Sequence, residues 1–164
     1  GIPLSEWSRA CDSLSLCLSK GLGAPVGSLV LGSEEFIRRC RRTRKMLGGG
    51  MRQAGIIAAA GLYALRHHID RLAVDHARAA GLAERLKTIP GLIPPDRVDT
   101  NILMIDLHPD VPFDAHELQH RLENRGVKLF SVRKRRVRAV FHLDLPENAV
   151  SLAEEAFRQV MSDN

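Results

Sequence analysis

The residue order predicts an α/β chain, and three observations carry that prediction. Leu14 to Leu18 alternates apolar with small residues, the mark of a buried strand, and runs into Lys20 and a series of glycines. Residues 64–87 are apolar at the helical period through Leu65, Ile69, Leu72, Ala79, Ala83 and Leu86, which predicts one long helix with a single buried stripe. Beyond Pro90, Gly91, Pro94 and Pro95 the order becomes strand, helix, strand, strand, helix. That order suits a small α+β domain with helices on one side of a mostly antiparallel sheet.

Each element has its own signal. Residues 1–10, with Pro3, Ser5 and Trp7, form a short turn or helix that feeds a strand at about 13–18. The glycine loop of Gly21, Gly23, Pro25 and Gly27 follows, and Ser28 to Gly32 reads as a second strand close enough to make a hairpin. Ser33 is an N-cap for a helix that runs to about Leu47, with Glu34 and Glu35 at its positive end and Gly48 as its stop. Phe36, Ile37, Cys40 and Met46 give it a thin apolar side. The segment Gly48 to Gly55 then leads into a helix rich in small residues, Ile56 to about Tyr63. Further on, 101–107 is a strand, 113–125 a helix ended by Gly126, 127–132 and 137–143 strands, and 147–161 a closing helix.

Composition narrows the function. The 164 residues are 45% hydrophobic and 26% charged, values of an ordinary globular chain. No apolar run approaches the ~20 residues that span a bilayer. The first residues lack a basic flank followed by an apolar core, so no signal peptide is visible and a cytoplasmic location is expected. Gly1 stands where an initiator methionine would, which suggests an excised or truncated chain. The net charge of +5 comes from clusters at Arg38–Lys45 and Arg133–Arg138. With aromatic residues at only 4%, stacking platforms are scarce, and neither a nucleic-acid nor a membrane partner is expected. Cys11, Cys17 and Cys40 are odd in number and lack metal-ligand spacing, as in a reducing compartment.

Two places invite chemistry. A lysine at the end of a buried strand, with glycines that let other groups approach, is a Schiff-base candidate, because desolvation or a nearby cation lowers its pKa towards the nucleophilic amine. On the residues alone, the reading favoured for Lys20 is a solvated lysine at a strand end before a turn. The Gly48–Gly55 segment offers backbone amides to an anion beside Lys45 and Arg52, or is simply a flexible turn between packed helices. The pattern His116-Glu117-x-x-His120 matches a zinc-hydrolase motif, but Ala115, Leu118 and Leu122 mark the buried face of its helix. Both histidines then turn to solvent, and no third ligand follows them, so no metal is expected. His67, His68 and His76 read as surface or boundary histidines on the long helix.

Ser19-Lys20-Gly21-Leu22-Gly23-Ala24-Pro25-Val26-Gly27-Ser28 and Arg44-Lys45-Met46-Leu47-Gly48-Gly49-Gly50-Met51-Arg52-Gln53-Ala54-Gly55 closely resemble, in order, two motifs of the low-specificity L-threonine aldolase family. Arg138-Ala139-Val140-Phe141-His142 is similar to that family's late Arg-x-x-x-His segment. The resemblance covers essentially the whole chain and about the C-terminal half of the family's length. It implies the C-terminal part of a fold type I pyridoxal phosphate enzyme. Residues 1–63 would end the large cofactor-binding domain, 64–90 would be a long linking helix, and 91–164 the small α+β domain. Lys20 would carry pyridoxal 5'-phosphate, with Ser19, Lys45 and Arg52 near its phosphate, and Arg138 would hold the substrate carboxylate.

The implied reaction is retro-aldol cleavage of L-threonine or L-allo-threonine to glycine and acetaldehyde by a homodimer or homotetramer. The chain departs from the family in three respects. The basic run 131–137 makes Arg136 a competitor of Arg138, and Phe141 stands where a smaller residue is expected. The family's first half supplies a stacking histidine, the carboxylate that pairs with the pyridine nitrogen, a phosphate-binding loop and another arginine, and none of it is in these 164 residues. The chain alone is therefore expected to be inactive and marginally folded. A non-catalytic remnant or interaction module is the alternative.

Overall fold

The computed structural model describes residues 2–163, the side chain of Leu4 aside, and divides them into two compact units that part between Asp70 and Arg71. The first unit begins with a short helix, α1 (Leu4–Arg9), followed by strands β1 (Ser13–Cys17) and β2 (Ser28–Gly32). These two strands form an antiparallel hairpin with Leu14 opposite Leu31 and Leu16 opposite Leu29. Helix α2 (Glu34–Met46) starts where the Ser33 hydroxyl accepts the Phe36 N–H at 3.3 Å. Its end is a Schellman turn: Gly49 N–H donates to the Arg44 carbonyl, Gly48 N–H donates to that of Lys45, and Gly48 takes a φ of +79°. Phe36, Ile37 and Cys40 are half-buried, but Met46, expected on the same apolar side, is 74% exposed.

The long helix expected over 64–87 is two helices, α3 (Gly55–His67) and α4 (Leu72–Leu86). The break falls at 68–71. There the His68 N–H closes the last turn onto the Ala64 carbonyl, while the His68 ring turns away to the Leu22 carbonyl at 2.6 Å. A carbonyl can only accept, so His68 Nδ1 carries the proton in this contact. That long-range bond, together with residues of modest helix propensity at 68–70, outweighs continuation of the helix. Ile69 is accordingly half-exposed instead of lying on a common stripe. The helix α4 is a layer of the second unit, not a separate linker.

The second unit is a four-stranded sheet in the order β3 (Leu92–Ile93), β4 (Ile102–Leu107), β6 (Arg136–Val140), β5 (Phe130–Arg133), with every neighbouring pair antiparallel. Alternation sorts its faces. Leu103, Ile105, Leu107 and Val137 point into a core shared with α4, α5 (Ala115–Glu123) and α6 (Ala149–Ser162). Met104, Asp106, Arg136, Arg138 and Phe130 lie on the opposite face. Both later strands are displaced from their expected spans. Val127 still belongs to the turn that ends α5, with its N–H on the Leu122 carbonyl, and after Val140 the chain leaves the ladder for the turn at 142–145. No helix of the described residues is long and apolar enough to cross a membrane.

Gly126 shows what the α5 turn requires. It has a φ of +79° with open space where a Cβ would stand, so a side chain there meets conformational strain and no clash. The variant Gly126→Ala is expected to lose about 1 kcal/mol, read as a lower urea midpoint with an unchanged slope.

At the start of the same helix, Asp114 Oδ1 accepts the N–H groups of Glu117 and His116, both at 3.0 Å. Those bonds, Glu117 first, hold its carboxyl below the ordinary range, and Arg136 does the same for Asp106 through a side-chain hydrogen bond. Both folded-state values are depressed, so both groups stabilise the fold above the unfolded carboxylate value of about 3.9 and lose that contribution as pH falls through the folded value. Urea midpoints should therefore hold from pH 7 to about 5 and fall below about 4, with a shallower fall in Asp106→Asn.

Candidate functional site

Lys20 opens the loop between β1 and β2, and the loop is built on backbone. Gly23 N–H donates to the Lys20 carbonyl at 2.8 Å, Ala24 N–H to that of Leu18 and Leu18 N–H to that of Gly27, both at 3.0 Å. Leu18, Leu22 and Ala24 are buried, whereas Lys20 is exposed. Helix α3 supports the loop at two points. A Cβ on buried Gly61 would stand 3.0 Å from Leu18 Cδ1, so a small residue lets helix and loop meet, and His68 holds Leu22. Sequence reasoning left His68 as a boundary residue; a carbonyl 46 positions away is its partner.

The other expected phosphate ligands of the first unit lie on two segments. Ser19 is beside Lys20, its hydroxyl 3.6 Å from Cys17 Sγ, and that contact draws the Cys17 thiol below its usual pKa. Lys45 is in the last turn of α2 and lies over Gly50, where a Cβ would stand 3.2 Å from its Nζ. Arg52 is in the following turn, next to Gln53, the one non-glycine residue of positive φ (51°) among those described. Among the described residues, no side-chain hydrogen bond or ion pair engages Lys20, Lys45 or Arg52. One amine able to bond covalently to a carbonyl, with a hydroxyl whose contact is a thiol and with an ammonium and a guanidinium left unpaired, is a donor set that fits pyridoxal phosphate.

In the second unit the basic run resolves residue by residue. Arg135 is structural, its guanidinium donating to the carbonyls of His108, Leu107, Val111 and Phe113. Arg136 donates from Nε to Asp106 Oδ1 at 2.6 Å and from Nη2 to Oδ2 at 2.7 Å. Arg138 differs. Its Nε is buried without a hydrogen-bond partner, and its guanidinium carbon lies 6.0 Å from the Phe130 ring centroid. A buried guanidinium nitrogen left unpaired is costly, and it fits a site that awaits a carboxylate. Of the two competing arginines, Arg136 is occupied and Arg138 is not. Phe141 turns inward and is 4% exposed, so its bulk fills the core.

On α5, His116 and His120 are exposed and stack edge-on at 5.2 Å, while Leu118 and Leu122 are buried. Among the described residues no group of three or more histidine, cysteine or acidic side chains could hold a metal ion.

The family model for beta-eliminating lyases matches residues 1–110. The chain belongs to that family. Among its relatives, low-specificity L-threonine aldolase 1 of Arabidopsis thaliana is 39% identical over 98% of this chain and 45% of its own length. The low specificity L-threonine aldolase of Escherichia coli (strain K12) is 44% identical over 95% of this chain and 44% of its own. This beta-eliminating lyase chain thus spans less than half the length of these relatives. Among solved structures, SPT with PLP superposes with a TM-score of 0.72 at 15% identity, over 93% of this chain and 40% of that one. Alanine–glyoxylate aminotransferase from Nostoc sp. gives 0.67 at 19%, over 98% and 51%. These likenesses show the fold alone, that of the corresponding portion of those two chains.

Proposed function

We propose that this chain supplies part of the active site of a pyridoxal phosphate-dependent aldolase that cleaves L-threonine and L-allo-threonine to glycine and acetaldehyde. The observation that carries the reading is 39% identity to a low-specificity L-threonine aldolase, running through 98% of the chain and so through both units. The cofactor would supply an electron sink for the pair left on Cα when the Cα–Cβ bond breaks. Lys20 would hold it covalently through Nζ, and the same amine can hold a proton when it is free. Ser19, Lys45 and Arg52 donate to its phosphate. Arg138 would receive the substrate carboxylate through paired N–H groups. The remaining ligands come from the portion of the relatives that this chain does not span, and the assembled enzyme is a homodimer or homotetramer.

Complementation tests this. The chain is co-expressed with the missing portion of the Escherichia coli relative, loaded with pyridoxal phosphate and given L-threonine. Acetaldehyde and glycine are expected from the complemented protein and not from the chain alone. Cleavage by the chain alone would show that its site is not partial. A complemented protein that binds the cofactor through lysine yet releases no acetaldehyde would overturn the substrate assignment.

A further inference from the structure

The outward face of the second sheet carries two rows of side chains in register. Met104 on β4, Arg138 on β6 and Phe130 on β5 form one, and Asp106, Arg136 and Arg133 form the other. Arg136 and Arg138 are two residues apart on one strand, on the same face, and so their Cα atoms stand about 7 Å apart. Their states are opposite. Both oxygens of Asp106 are taken by Arg136, in a pair whose members are each a little over a third exposed, while Arg138 Nε is buried with no partner. Arg133 lies beyond Arg136 and is exposed.

We propose that Asp106 sets the carboxylate selectivity at the Arg136–Arg138 pair: by engaging Arg136 through both its oxygens it leaves Arg138, of these two, as the guanidinium offered to an amino-acid ligand and turns away a second carboxylate. Asp106 is thus a positioning residue. The inference rests on the reading of Arg138 as the carboxylate ligand and adds what that reading lacks, a reason for monocarboxylate selection. Asp106 occupies the Nε–Nη2 edge with which Arg136 could grip a second carboxylate in two bonds, and the Asp106 oxygens repel that carboxylate. Without the Asp106 charge, Arg136 becomes a second anion site two residues from Arg138 on the same face.

The test titrates the full 164-residue chain with acetate and with succinate at matched ionic strength and follows arginine Nε–Hε signals by NMR, that of Arg138 being assigned with Arg138→Lys. In the unaltered chain the Arg138 signal should move with both ligands, succinate binding better only by about the statistical factor of two. In Asp106→Asn the succinate-to-acetate ratio should rise a further threefold or so, the attraction of a second charge at about 7 Å in water. The double variant Asp106→Asn/Arg136→Gln should restore the original ratio, which separates a freed Arg136 from a general loosening of the sheet. An unchanged ratio in Asp106→Asn, with the Arg138 signal still moving, overturns the role of Asp106 alone. An Arg138 signal that neither ligand moves overturns that role together with the reading beneath it.

Discussion

Replacing Lys20 with alanine is expected to lower threonine cleavage by the complemented enzyme at least about a thousandfold while the first unit keeps its fold. The two effects separate because of how the loop is made. Its turn closes on the Lys20 carbonyl, which receives the Gly23 N–H, and its buried anchors are Leu18, Leu22 and Ala24. Among the described residues the lysine side chain has no hydrogen bond or ion pair, so truncation at Cβ removes an exposed amine and no such contact to the loop. Chemically the loss is complete, since no other described amine stands at that strand end. The visible band of lysine-bound cofactor should vanish in Lys20→Ala and also in Lys20→Arg, which keeps the charge but cannot form the covalent link. A small amine such as methylamine should restore part of the rate to Lys20→Ala. A band retained in both variants would mean that another lysine holds the cofactor.

What could be read from residue order was whatever is local. Gly48 and Gly126 end their helices through left-handed turns, as a glycine after an apolar-periodic run suggests, and Ser33 caps the helix it precedes. The hairpin followed from one alternating run and a second short apolar run close behind it across a glycine loop. The failures are long-range. His68 breaks the expected helix because it bonds to Leu22, and nothing near His68 announces that partner. The Arg136–Asp106 pair, 30 positions apart, decides which arginine is free. One clue was present, a single aspartate in the otherwise apolar strand Ile102–Leu107, which predicts a cation across the ladder. Strand β3 has two residues and no period to detect.

Phe157→Ala is expected to destabilise the second unit by about 3–5 kcal/mol, whereas Leu29→Ala in the first should cost well under about 1 kcal/mol. The difference is burial. Phe157 is fully buried on α6 and belongs to one continuous core with Leu82 and Leu86 of α4, Leu103 and Ile105 of β4, Leu118 and Leu122 of α5, and Val137 of β6. Removing its ring leaves a cavity that three helices and a sheet cannot all close. That loss is comparable with the whole stability of a small domain, so the variant should be largely unfolded in its second unit. The first unit has little of this kind to lose. Among its described residues only Leu18, Leu22, Ala24 and Ala64 are buried apolar side chains, while Val30, Leu31, Ile56, Leu62 and Tyr63 are all 45% exposed or more. Leu29 on β2 is itself 38% exposed, so truncating it returns little surface to water. Amide hydrogen exchange reads the two units separately. In the unaltered chain, amides of β4, β6 and α6 should exchange far more slowly than those of β1, β2 and α3, and Phe157→Ala should abolish the slow class. Equal protection in the two units would show that the first is held by interactions its own side chains do not supply.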